Sequence, residues 1–144
     1  MKDGKNRIAM FPGSFDPPTY GHFDIINRCA ALYDKVYVVI GENIGKNSLF
    51  TSEEKKKLIE DNITNLQNVE VAIWSGLAVD FGKAYDVDVM IRGVRGQGDF
   101  SYEFEMAEIT RELYPALEVL FMVANPKFFL LRSSTLKEIA IYKG

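Results

Sequence analysis

The sequence is short of the residues that most often carry chemistry by themselves: one cysteine and one histidine in 144 residues. A lone Cys29 excludes an internal disulfide, and with no Cys or His companions at metal-ligand spacing it frames no zinc site. It reads as a small buried apolar residue. No apolar run approaches the roughly 20 residues of a membrane-spanning helix, and the opening "MKDGKNRIAMF" has no long apolar centre. These absences give an expectation of a cytoplasmic protein with no membrane partner. Excess positive charge is missing too, since 17 Lys and Arg against 20 Asp and Glu leave a net charge of −3. Gripping nucleic acid by phosphate neutralisation calls for a basic surface, so this balance argues against nucleic acid as a partner.

Two familiar phosphate-binding patterns are also missing. No GxxxxGK[ST] occurs, and no GxGxxG follows the first apolar run; "GVRGQG" at 93–98 spaces its glycines irregularly and is weak by itself.

What the chain does have is alternation. Apolar runs of strand length recur at 8–11, 35–41, 69–74, 87–93 and 117–123. They are apolar on both faces rather than every second residue, which suits parallel strands covered on two sides. Helical patterns separate them: 21–33, with apolar residues near i, i+3, i+4 and i+7; 51–66, opened by the Thr51/Glu54 capping box; 76–85; 99–114, closed by Pro115; and 133–144. The run "EKKK" at 54–57 is expected to be a solvated helix face. The predicted fold is α/β, a Rossmann-like doubly wound five-stranded parallel sheet with helices on both faces, as a single domain over 1–144.

In such sheets ligands sit beyond the carboxyl ends of the strands, where the strand order changes direction. The loops to search are therefore 12–22, 41–50, 92–103 and 124–134. The first, "PGSFDPPTYGH", is stiffened by Pro12, Pro17 and Pro18, while Gly13 and Gly21 permit close backbone approach. Gly21 and His22 are expected to open the first helix, whose N-terminus offers N–H groups and the positive dipole end to a phosphate. A lone histidine is more often merely a polar first-turn residue. Here Ser14 and Thr19 share its loop, where they could bond an oxyanion or orient the ring.

"GSFDPPTYGH" resembles the (T/S)xxH signature of the nucleotidylyltransferase superfamily, and "IRGVRGQGDFSYE" with "RSSTLKE" resembles bacterial phosphopantetheine adenylyltransferases. The likeness runs from about residue 7 to the end. It implies transfer of the adenylyl group of ATP to 4′-phosphopantetheine, giving dephospho-coenzyme A and pyrophosphate, with Mg²⁺ and in a homohexamer. An ionised acceptor phosphate is already a nucleophile. Catalysis then reduces to bringing two anions together and stabilising the charge of the transition state, which suits His, Lys, Arg and hydroxyl donors without a carboxylate base.

The resemblance assigns roles residue by residue. His22 contacts the α-phosphate, and Ser14, a threonine in many relatives, donates to the phosphates of either substrate. Lys46, in "GENIGKN", neutralises the acceptor phosphate. Arg92, expected to end the fourth strand, pairs with it bidentately. Ala78 is placed on the acceptor side. On the ATP side stand Phe15, Gly93, Val94, Arg95 and Glu103, and the segment of Phe128, Phe129, Leu130, Leu131 and Arg132 closes over the nucleotide. Ser133 and Ser134 meet the β- and γ-phosphates at a helix start. Relatives usually carry a third hydroxyl where this chain has Arg132. Two other readings remain: a nucleotidylyltransferase for nicotinate mononucleotide or a polyol phosphate, and a nucleotide-binding regulator without turnover. The Arg92/Arg95 pair with "DFSYE" favours phosphopantetheine, and Ser14, His22, Lys46 and Arg92 together speak against a pure sensor.

Overall fold

The computed structural model describes residues 6–42 and 47–125. Their elements alternate strictly: β1 (Ile8–Gly13), α1 (Tyr20–Leu32), β2 (Lys35–Glu42), α2 (Ser52–Asp61), β3 (Val69–Ser75), α3 (Ala78–Ala84), β4 (Val89–Val94), α4 (Gln97–Leu113) and β5 (Glu118–Val123). The expected final helix at 133–144 lies outside the described residues.

All five strands are parallel, in the order β3-β2-β1-β4-β5. The chain winds outward from β1 to β3, then returns to the other side of β1 for β4 and β5, so the direction reverses between β1 and β4. That seam is thinly laced. Its register covers only Ala9–Met10 against Val89–Met90, whereas β1 pairs with β2 along its whole length. The carboxyl-terminal halves of β1 and β4 are therefore not tied to each other, and a crevice opens there.

Side chains alternate across each strand, so the sheet builds two cores. On one face Phe11, Val36, Val38, Ile40 and Ile91 meet Ile25, Ile26 and Cys29 of α1 and Ile59 of α2. On the other, Met10, Val39 and Met90 meet Val79 and Phe81 of α3 and Leu117. Cys29 is wholly buried, and burial pushes its thiol up to about 11, so it stays protonated and inert as its sequence context suggested.

Several local expectations shift. The helix α1 begins at Tyr20 with Thr19 as N-cap, so His22 is the third helical residue rather than the opening one. The strand β4 runs on to Val94, which puts Arg92 inside the strand, paired in register with Phe121, and not at its end. In "EKKK", Glu54 and Lys57 are exposed, but Lys55 is 3% exposed. Lys55 lies one turn before buried Ile59 and so on the same helix face. The Thr51/Glu54 capping box forms as predicted, with Thr51 Oγ1 accepting from the Glu54 N–H at 3.1 Å and Glu54 Oε1 accepting from the Thr51 N–H at 2.9 Å. Gly93 has a packing reason: a Cβ there would stand 2.5 Å from Ile25 Cδ1, so a larger residue would push the tip of that α1 side chain aside.

Candidate active site

Two cavities open at the carboxyl rim of the sheet and share a wall. The larger, about 300 Å³, is bounded by Phe11, Thr19, Gly21, His22, Ile25, Gly93, Arg95, Asp99, Tyr102, Glu103 and Ala124 together with Pro12 and Arg92. The smaller, about 190 Å³, is bounded by Gly13, Ser14, Val39, Gly41, Trp74, Gly76 and Ala78, again with Pro12 and Arg92. Arg92 thus borders both. Gly76, at φ 113°, makes the turn between β3 and α3 in a backbone region closed to most other residues.

The histidine is held by its own helix start. The Thr19 hydroxyl accepts from the His22 N–H at 3.3 Å, and His22 Nδ1 accepts from the Thr19 N–H at 2.9 Å. This is a capping box in which an imidazole replaces the usual Glu or Gln. A backbone N–H can only donate, so Nδ1 must carry the lone pair, and the neutral ring keeps its proton on Nε2. Phe15, with φ 48°, is buried at 1% exposure and meets the ring edge-on, centroids 4.8 Å apart. Burial, helped by the positive charge of Arg95, brings the imidazole down to about 4 from 6.5. His22 is therefore an uncharged Nε2–H donor at neutral pH, fixed in direction by Thr19.

A pH dependence follows, with a definite sign. Between about 4 and 6.5 the unfolded chain takes up the His22 proton more readily than the folded one. This contribution to stability is complete above 6.5 and is lost as pH falls through that window. Urea unfolding midpoints should fall more steeply from pH 7 to pH 4.5 in the wild type than in His22→Gln. Parallel pH profiles for the two would show that the ring is not held neutral.

The cations of the larger cavity are matched by carboxylates. Arg92 and Glu103 are 14% and 16% exposed and approach at 3.5 Å, the outer limit of a hydrogen bond. Arg92 Nε is buried with no hydrogen-bond partner among the described residues. Burial raises the Glu103 carboxyl, and the positive charge of Arg92 works against that rise. The Arg95 side chain donates from Nε to Asp99 Oδ2 at 2.9 Å, and the Arg95 backbone N–H reaches the same oxygen at 3.2 Å. A loosely paired guanidinium with an unspent buried donor is suited to an anion such as phosphate, two of whose oxygens can meet its planar fork.

Of the nine expected site residues that are among the described ones, seven border the cavities, in two groups joined by Arg92. His22, Gly93, Arg95 and Glu103 border the larger cavity, and Ser14 and Ala78 border the smaller. Val94 is buried, and Phe15 stands behind His22, so neither side chain borders a cavity. Lys46, Phe128, Phe129, Leu130, Leu131, Arg132, Ser133 and Ser134 lie outside the described residues. Asp99 and Tyr102 were not anticipated. Asp99 had a signal in its spacing, four residues after Arg95 at a helix start, where the two can pair. Tyr102 had none, because a tyrosine on a helix has no local mark of facing a ligand.

Comparison with known proteins adds three findings. The cytidylyltransferase-like family model matches residues 10–139. A phosphopantetheine adenylyltransferase of Bdellovibrio bacteriovorus is 45% identical over 139 residues, covering 96% of this chain and 87% of the relative; one from Dictyoglomus turgidum is 46% identical over 136 residues, covering 94% and 85%. Among solved structures, a Vibrio parahaemolyticus protein with a provisional nicotinate-nucleotide adenylyltransferase assignment superposes with a TM-score of 0.66 at 19% identity, covering 96% of this chain and 89% of that one. At that identity the likeness speaks for the fold.

Proposed function

Because the chain belongs to the phosphopantetheine adenylyltransferase family, we propose that its two cavities receive the two substrates, ATP in the larger and 4′-phosphopantetheine in the smaller. The chain is a nucleotidyltransferase of coenzyme A biosynthesis that transfers the adenylyl group of ATP to 4′-phosphopantetheine, giving dephospho-coenzyme A and pyrophosphate. The observation that carries the placement is Arg92, which borders both cavities with a buried donor unspent.

In this reading an oxygen of the acceptor phosphate attacks the α-phosphorus of ATP while the bond from that phosphorus to the bridging oxygen breaks, and pyrophosphate departs with the electron pair. Arg92 holds the acceptor phosphate from the shared wall, with Ser14 donating from the first loop. Lys46 neutralises the same phosphate. His22 Nε2–H points its single donor at the α-phosphate, where charge grows in the transition state. Such a preset neutral donor needs no reorganisation as the charge develops. Arg95 takes the ATP phosphates and Glu103 stays on the ATP side, with Gly93 and Val94 lining the nucleotide by backbone. The segment from Phe128 to Arg132 covers the nucleotide, and Ser133 and Ser134 meet its terminal phosphates.

Among the described residues no group of three or more His, Cys, Asp or Glu could cage a metal, and the two carboxylates of the larger cavity are both engaged by arginines. Mg²⁺ is accordingly proposed as a companion of ATP, held by phosphate oxygens and water and offsetting part of the triphosphate charge. We also propose a homohexamer acting in the cytoplasm. Exposed Phe104, Ile109 and Leu113 on α4 leave apolar side chains available for self-association, and no helix among the described residues could cross a membrane.

The direct test incubates the protein with ATP, Mg²⁺ and 4′-phosphopantetheine. Dephospho-coenzyme A and pyrophosphate should appear one for one, and chelation of Mg²⁺ should suppress both. Full turnover in chelator would remove the metal from the proposal, and equal turnover with nicotinate mononucleotide would remove the acceptor.

A further inference from the structure

Trp74, near the end of β3, borders the smaller cavity. Its indole N–H is already spent: Nε1 donates to the Leu77 carbonyl at 3.0 Å. Leu77 is the N-cap of α3, a helix of seven residues, and its own side chain makes no capping bond. A helix of two turns is marginal by itself, so its start depends on what holds it from outside. The same carbonyl accepts from the Asp80 N–H at 3.0 Å, so both of its lone pairs are in use. The indole bond therefore closes the turn that runs from β3 through Ser75 and Gly76 to the start of α3. Gly76 sits at φ 113° within that turn, Ala78 follows as the first helical residue, and both border the cavity. At its other side the indole meets the wholly buried Phe81 edge-on, with ring centroids 5.4 Å apart, so the tie is anchored in the core.

The walls of this cavity divide by chemistry. Arg92 supplies charge and Ser14 a hydroxyl, whereas Val39, Trp74, Gly76 and Ala78 are uncharged. The first pair suits the phosphate of an acceptor, and the second set suits the uncharged body attached to it. We propose that Trp74 is a positioning residue for that body: by tying the cap of α3 to the core-anchored end of β3, it fixes the wall that Gly76 and Ala78 form. This rests on the placement of 4′-phosphopantetheine in the smaller cavity. A wall that holds the body serves the bound substrate and the transition state alike. Its loss is therefore read in KM for the acceptor, with kcat unchanged.

The test combines fluorescence with steady-state kinetics on the full chain. Trp74 is the sole tryptophan, so the tryptophan emission reports on this wall alone. Titration with 4′-phosphopantetheine should change that emission saturably, and a non-hydrolysable ATP analogue should leave it as it was. Trp74→Phe keeps a ring beside Phe81 and removes the indole donor. It should raise the KM for 4′-phosphopantetheine roughly 2- to 10-fold, the worth of one neutral hydrogen bond, with kcat and the KM for ATP unchanged. Gly76→Ala disturbs the same turn from its backbone: the new Cβ would stand 3.9 Å from the indole nitrogen, which leaves it room, but the φ of 113° disfavours it. The same acceptor-selective rise is expected, and the double variant should show less than the product of the two. Should Trp74→Phe fail to fold, Gly76→Ala carries the test alone. Equal rises in KM for both substrates would show that Trp74 serves only the fold. An emission that answers to 4′-phosphopantetheine alongside a normal acceptor KM in both variants overturns this proposal and leaves the cavity assignment standing. An emission that answers to the ATP analogue and not to 4′-phosphopantetheine removes the acceptor from the smaller cavity, and both readings fall.

Discussion

His22→Ala should lower kcat by about 10²- to 10³-fold, the usual cost of removing one preorganised donor from a developing anion, while ATP binds nearly as well as before. The split follows from the chemistry of the ring. The imidazole is neutral, so it adds no charge to attract ATP in the ground state, and its value grows only as charge builds on the α-phosphate. His22→Gln, which retains an N–H donor, should recover part of the loss. Binding of a non-hydrolysable ATP analogue, followed by calorimetry, supplies the second measurement. If binding and kcat fall by the same factor, His22 acts on the ground state and its transition-state role is wrong. Stability must be followed alongside, because the ring also caps α1 through the Thr19 N–H.

Arg92→Ala should be nearly as damaging but on the other substrate. Truncating one partner of a buried charge contact costs about 2–5 kcal/mol, which corresponds to roughly 30- to 5,000-fold in kcat/KM for 4′-phosphopantetheine. Arg92→Lys should recover little, since an ammonium cannot reproduce the fork that meets two phosphate oxygens. Arg92→Ala should also raise the Glu103 carboxyl further, because the charge opposing the effect of burial has gone. The fold then loses part of its stability at neutral pH, where that carboxyl is pushed to ionise without a partner. The double variant Arg92→Ala/Glu103→Gln should regain melting temperature but not activity. Recovery of both would reduce Arg92 to a structural partner of Glu103.

The five strands were legible in the sequence because each is a short run apolar on both faces, a pattern that belongs to strands covered on two sides. The α2 cap was legible because Thr51 and Glu54 satisfy each other within one turn. His22 was found by its place in a stiff loop, but its mode of holding was only half seen. Thr-x-x-His at 19–22 has the spacing of a capping box, and the histidine in the glutamate position was the available signal. The burial of Lys55 could not be seen, because one charged residue within a charged run looks solvated until the face that meets the sheet is known.

Element order and fold class were written in the sequence itself, because periodicity and caps act over a few residues, while the expected donors came from the resemblance of its motifs to a family. The division of the site into two cavities, the place of Arg92 between them and the neutral state of His22 were decided only by the tertiary structure. Each depends on groups tens of residues apart meeting at the carboxyl rim of the sheet. Desolvation and hydrogen-bond partners follow from that meeting, and no local pattern encodes it.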